Sequence, residues 1–190
     1  MITIDGPAGA GKSTVARVVA DRLGYTYVDT GSMYRELTAA AMDRGVDPDD
    51  GDALAQLVGV APPAGVDLRG EPVSALVSAV SRHPQVRERM RARQRELARD
   101  AVLEGRDTGT RVCPDADVKV YLTASLASRA DRRAADLGMA AADVGPAIAA
   151  RDRGDAEQLA PAPDAHSIDT TELTVDQVVE RVLGLVRAAS

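Results

Sequence analysis

Ile2-Thr3-Ile4-Asp5-Gly6-Pro7-Ala8-Gly9-Ala10-Gly11-Lys12-Ser13-Thr14 is the stretch on which the fold turns. From Gly6 to Ser13 it fits the pattern G-x-x-x-x-G-K-[ST]. Composition alone produces that pattern in roughly 0.7% of chains of this length. Its flanks sharpen the reading. Residues 2–5 read as a buried strand, and residues 12–23 as a helix with Val15, Val18, Val19 and Leu23 on its inner face. Glycines let a backbone fold tightly enough to point its N–H groups at phosphates, and the helix that follows adds partial positive charge. Gly6, Pro7, Ala8, Gly9, Ala10, Gly11, Lys12, Ser13 and Thr14 are therefore the expected nucleotide cradle. Lys12 would neutralise the β- and γ-phosphates of ATP, and the Ser13 hydroxyl would hold Mg²⁺.

Working outward, strands and helices alternate. A second strand is expected at 25–28, with Asp29, Thr30 or Ser32 capping a helix through about 44. A short helix at 52–58 follows, then a small hairpin pairing 66–68 with 72–74 around Arg69-Gly70. Pro84 opens a long helix to about 99 whose arginines run around several faces, the pattern of a solvated helix. Strands at 101–103, 118–122 and 167–169 and helices at 126–137, 144–153 and 175–188 complete the pattern. Such alternation implies an α/β fold of the P-loop NTPase type, a parallel sheet with helices on both faces. The expected organisation is a single kinase-like domain with a core over 1–44, 82–137 and 165–190. Two excursions from that core, a small insert over 45–81 and a lid over 138–164, read as a pair of flaps over a phosphate site, consistent with a kinase.

The whole chain has 190 residues, 23 basic and 29 acidic, for a formal net charge of −6. All but two of the basic residues are arginine, the exceptions being Lys12 and Lys119. That acidic balance, with four tyrosines and no Phe or Trp, argues against a nucleic-acid surface. No apolar run approaches the roughly 18–20 residues of a membrane span. Cys113, alone, closes no internal disulfide, which suits a reducing compartment. Two histidines and one cysteine do not make a zinc site of the usual kind. A cytoplasmic, monomeric protein acting on small molecules is the expectation, with no nucleic-acid or membrane partner.

Three further clusters carry charge to the carboxyl edge of the sheet. Asp29-Thr30-Gly31-Ser32-Met33-Tyr34-Arg35 follows the second strand and puts Arg35 one helical turn from Gly31, in reach of a phosphate or simply on a helix surface. Glu104-Gly105-Arg106-Asp107-Thr108-Gly109-Thr110 follows a buried strand. There Arg106 can clamp a phosphate and Asp107 can accept from an amino group or sugar, or the two can pair and fasten a loop. Arg129, Arg132 and Arg133 share one helix face, and Arg151-Asp152-Arg153-Gly154-Asp155 comes after them. Arginines closing over phosphates would supply the charge neutralisation that phosphoryl transfer needs.

Taken together, the chain resembles the bacterial cytidylate kinases, a family of nucleoside monophosphate kinases. The matching segments run in order: IDGPAGAGKST at 4–14, DTGSMYR at 29–35, GEPVS at 70–74, EGRDTGT at 104–110 and PDADVKVYLTAS at 114–125. RDRGD at 151–155 and DA-x-x-IDTT at 164–171 complete the series. The resemblance implies transfer of the γ-phosphate of ATP to CMP or dCMP, with Mg²⁺. It implies contacts from Arg35 and Arg106 to the acceptor phosphate, from Ser74 and Asp107 to the cytosine, and from Asp155 near the ribose. Thr30 joins that acceptor site, while Arg129, Arg132 and Arg151 join Lys12 in neutralising charge. The chain departs from the family where Ala75-Leu76-Val77-Ser78 replace an arginine-bearing stretch after Ser74, where Gln158 stands for an arginine, and in a shortened lid. A kinase for UMP, AMP or a non-nucleotide acceptor, and a nucleotide-binding protein without transfer activity, are the readings beside it.

Overall fold

The computed structural model describes residues 1–155 and 159–189, the Arg151 side chain excepted. Gln158 lies outside the described residues. The chain divides into two compact units, residues 1–28 with 98 onward, and residues 29–97.

The first unit is built on a sheet ordered β2-β3-β1-β4-β5. Its strands are β1 (Ile2–Asp5), β2 (Thr26–Asp29), β3 (Ala101–Gly105), β4 (Val118–Thr123) and β5 (His166–Asp169). Central β1 runs parallel to β3 on one side and β4 on the other, and β5 runs parallel to β4. All four residues of β1 are buried, as a strand with helices on both faces requires. The helices of this unit are α1 (Lys12–Leu23), α6 (Leu126–Leu137), α7 (Ala141–Gly154) and α8 (Val175–Ala189). The core joins Ile2 and Ile4 to Val15 and Val19 of α1, Val120 and Leu122 of β4, and Val179 and Val182 of α8. Val18 and Leu23 pack at its margin. The inner face read from the period of α1 is the face that is buried. Among the described residues no helix is long and apolar enough to cross a membrane.

The second unit holds α2 (Thr30–Asp43), α3 (Gly51–Gln56), α4 (Glu71–Ser81) and α5 (Pro84–Glu96) around Leu37, Leu54, Val80, Val86 and Met90. The hairpin expected across 66–74 does not form. Residues 63–70 instead make successive turns, in which Val66 N donates to Pro63 O and Gly70 N to Asp67 O, while the Asp67 carboxylate accepts from Arg69 N. Gly70 then caps α4, and Pro72 sits in its first turn, where a missing N–H costs nothing. Val73 and Val80 are the buried positions of α4. Seven residues is two helical turns, and this repeat outweighs the two-residue turn signal of Arg69-Gly70.

In the first unit, Lys119 on β4 is buried and anchors the chain ahead of β5. Its Nζ donates to both Asp164 oxygens, at 2.8 and 3.0 Å. That bond holds the Asp164 carboxyl below its ordinary 3.8. A depressed carboxyl adds stability above its unfolded value and loses it as pH falls through the folded one. Asp164→Asn is thus expected to lose stability at neutral pH and to show a shallower further loss below about pH 4. Denaturant unfolding at pH 7 and pH 3 reads both, and parallel acid limbs would refute the pairing.

Candidate active site

β1 ends at Asp5 and the chain turns sharply at Gly6, with φ 144°. A Cβ there would lie 2.2 Å from the Leu122 carbonyl oxygen. At Gly9, φ 79°, it would lie 2.9 Å from the Cβ and carbonyl oxygen of Arg129. The loop therefore lies against β4 and α6 with no room for side chains at these points. Gly11 caps α1 with no side-chain hydrogen bond among the described residues, so the first turn keeps N–H groups for an anion. The Lys12 ammonium folds back over the loop and donates to Pro7 O at 2.9 Å.

The Ser13 hydroxyl donates to Glu104 Oε1 at 2.7 Å. Glu104 is 5% exposed and sits beside Ile4 in the β1–β3 register. The sequence reading ended this strand at Leu103 and gave Glu104 no role at the site. The signal available was a carboxylate immediately after three buried apolar residues. A hydroxyl and a buried carboxylate are hard oxygen donors of the kind Mg²⁺ takes. Among the described residues no group of three His, Cys, Asp or Glu could hold a metal by itself.

Asp5 is the second buried carboxylate that sequence reasoning passed over. It accepts from Thr108 N at 2.9 Å, Thr108 Oγ1 at 2.7 Å and Gly109 N at 2.8 Å. Burial pushes its carboxyl up, more than these three bonds pull it down, and the charge of Asp107 adds to the rise. Residues Thr108–Val112 form a wide π-type turn held by this contact, a local form that no periodicity announces. Just ahead of the turn, Arg106 NH1 lies 2.8 Å from Asp155 Oδ2, with both side chains largely buried. Its ion-pair partner Asp155 directly follows α7, whereas neighbouring Asp107 pairs with Arg111 at 3.8 Å.

Arg129 is buried rather than presented to solvent. Its guanidinium donates to Ala8 O of the phosphate loop at 3.1 Å, to Ala124 O at 3.2 Å and to Asp152 at 2.6 Å. Arg132 donates to Thr170 Oγ1 at 3.0 Å. That hydroxyl in turn lies within hydrogen-bond reach of the carbonyls of Ala10 and Thr123. Lys12, Arg129 and, through Thr170, Arg132 thus bond to backbone carbonyls of the 6–13 loop, whereas Ser13–Glu104, Arg106–Asp155 and Asp107–Arg111 are separate pairs within the first unit. The Arg151 side chain is outside the described residues.

In the second unit, Asp29 caps α2 by accepting from Ser32 N at 2.8 Å. Thr30 is the buried first residue of that helix. Arg35 NH1 donates to Gly31 O at 3.1 Å, one turn away as its spacing predicts. Ser74 donates to Arg69 O at 3.2 Å, and Arg69 NH2 lies 3.8 Å from Asp29 Oδ2. Arg69 had no place among the site residues read from the sequence.

A family model described as cytidylate kinase matches residues 2–188. The chain belongs to the cytidylate kinase family. It is accordingly an ATP-dependent nucleoside monophosphate kinase. It is 46% identical over 213 residues to a cytidylate kinase of Geobacillus thermodenitrificans (strain NG80-2), covering 97% of this chain and 95% of that one. A cytidylate kinase of Rhodococcus opacus (strain B4) is 43% identical over 219 residues, covering 100% and 96%. Both alignments are longer than the 190 residues of this chain, so these relatives carry internal segments that it lacks. A crystal structure of an uncharacterized protein from Eubacterium ventriosum ATCC 27560 shares the fold, with a TM-score of 0.62 at 12% identity and 98% of each chain covered.

Proposed function

We propose that this member of the cytidylate kinase family transfers the γ-phosphate of ATP to CMP or dCMP, giving CDP or dCDP. The observation that carries the reading is the family match across residues 2–188 on a chain whose phosphate loop is built as described. In-line attack by an acceptor phosphate oxygen forms the new P–O bond as the β,γ-bridging P–O bond breaks. The acceptor is already an anion, so no protein base is needed.

The loop N–H groups and the uncapped first turn of α1 bind the donor phosphates, and Lys12 leaves Pro7 O to neutralise charge on the γ-phosphate. Ser13 and Glu104 would hold Mg²⁺, which would supply positive charge to offset that of the donor phosphates. Arg106 and Arg35 receive the acceptor phosphate. Arg129, Arg132 and Arg151 add positive charge at the donor side, the first two already tied to the phosphate loop. Thr30, Ser74, Asp107 and Asp155 orient the nucleoside. Residues 45–81 act as the acceptor insert and 138–164 as the lid. The arrangement suits a monomer working in the cytoplasm on small nucleotides, a reading that the single buried cysteine and the acidic charge support.

Coupled measurement of ADP release with Mg·ATP and, separately, CMP, dCMP, UMP and AMP tests this. Turnover is expected with CMP and dCMP. Turnover confined to UMP or AMP would move the acceptor, and ATP binding without turnover on any of the four would remove the activity.

A further inference from the structure

We infer that Arg69 is a substrate-binding residue that grips the acceptor's phosphate together with Arg35. The inference rests on the acceptor reading above and adds to it a residue outside the motifs that matched the family.

The backbone of Arg69 is fixed on both sides. Its N–H donates to the Asp67 carboxylate at 2.9 Å, and its carbonyl accepts from Ser74 Oγ at 3.2 Å. A residue expected to touch the nucleoside is thereby tied to the backbone of Arg69. The side chain is 60% exposed, and its guanidinium reaches Asp29, the N-cap of α2. At 3.8 Å this is an ion pair too long for a hydrogen bond, so it aims the guanidinium without consuming its donors. An exposed pair of this kind adds little to stability.

Arg35 stands one turn further along the same helix and reaches back to Gly31 O. An imagined Cβ on Gly31 would lie 3.3 Å from Asp29 Oδ1 and 3.4 Å from Arg35 NH1. Gly31 thus keeps the space between the carboxylate that orients Arg69 and the guanidinium of Arg35. Other arginines of this unit are engaged elsewhere: Arg82 with Asp49, Arg87 with Ser81 O, and Arg93 with Glu96. Two guanidiniums flanking one helix start, partly offset by one carboxylate, match a phosphate dianion. Each can offer it parallel N–H donors. Beyond Ser74, α4 continues as Ala75-Leu76-Val77-Ser78 and contributes no cation of its own.

Steady-state kinetics of Arg69→Ala, Arg69→Lys and the control Arg82→Ala test this, with cytidine as a competitive inhibitor that lacks the phosphate. Arg69→Ala is expected to raise KM for CMP about 10- to 100-fold, against a much smaller change in KM for ATP. Its inhibition constant for cytidine should match that of the unsubstituted protein. Arg69→Lys should recover part of the loss, because it keeps the charge and loses the fork. Arg82→Ala should leave KM for CMP where it was. An unchanged KM for CMP in Arg69→Ala, or equal weakening of CMP and cytidine, overturns the inference while the acceptor reading stands. No turnover of CMP by the unsubstituted protein overturns both.

Discussion

Lys12→Ala is expected to lower turnover by at least about 10³-fold while leaving the folded protein intact. The ammonium donates to the loop's own Pro7 carbonyl, and the residue is half-exposed at the start of α1. Lys12 is not part of the core formed by Val15 and Val19, so its removal opens no cavity there. In the reaction the same ammonium faces charge that shifts toward the leaving β-phosphate, so its loss falls on the transition state more than on nucleotide binding. The signature is a collapse of kcat with an unfolding midpoint within a degree or two of the parent. Retained turnover in folded Lys12→Ala would refute the phosphate-loop mechanism.

Gly6→Ala should fail for a different reason. The added Cβ would meet the Leu122 carbonyl oxygen at 2.2 Å, a backbone atom of β4 in the middle of the sheet, at a φ of 144° that alanine rarely adopts. Neither partner can move without parting β1 from β4. A loss of about 3 kcal/mol or more is expected, lowering the thermal midpoint by roughly 6–12 °C. Gly11→Ala supplies the contrast, since its positive φ of 89° faces open space. Only the backbone preference is lost there, about 1–2 kcal/mol. Equal midpoints for the two variants would show that the approach to Leu122 is not what demands glycine at position 6.

The difference between these glycines also marks how far the sequence could be read. The pattern at 6–13 specified a strand, a tight turn and a helix, and it specified them correctly. It could not tell which glycine answers a neighbour and which answers only its own dihedral angle, because Leu122 and Arg129 reach the loop from distant parts of the chain. The boundaries of α6 were legible because Ser125 caps it and Gly138, in the left-handed region, ends it. By contrast, α4 was missed because a two-residue turn signal was given more weight than the spacing of Val73 and Val80. Arg35 could be placed against Gly31 by counting one helical turn. Glu104 and Asp5 could not be placed, since each meets partners about a hundred residues away or nearly so, through strand adjacency that no local pattern encodes. The Arg106–Asp155 pair is of the same kind: both residues were singled out, and their meeting was not.

The three hydrogen bonds accepted by Asp5 have a consequence for anyone rebuilding this protein. The last residue before the phosphate loop is also the clasp of the segment that presents Arg106 and Asp107. Transplanting 1–14 into another scaffold without 104–110 would strand a buried carboxylate, and exchanging 104–110 alone would leave two N–H groups and a hydroxyl facing an unsuited partner. The two stretches are one module written in two places. Recombination between relatives that cuts between them can succeed only where both parents carry the same clasp.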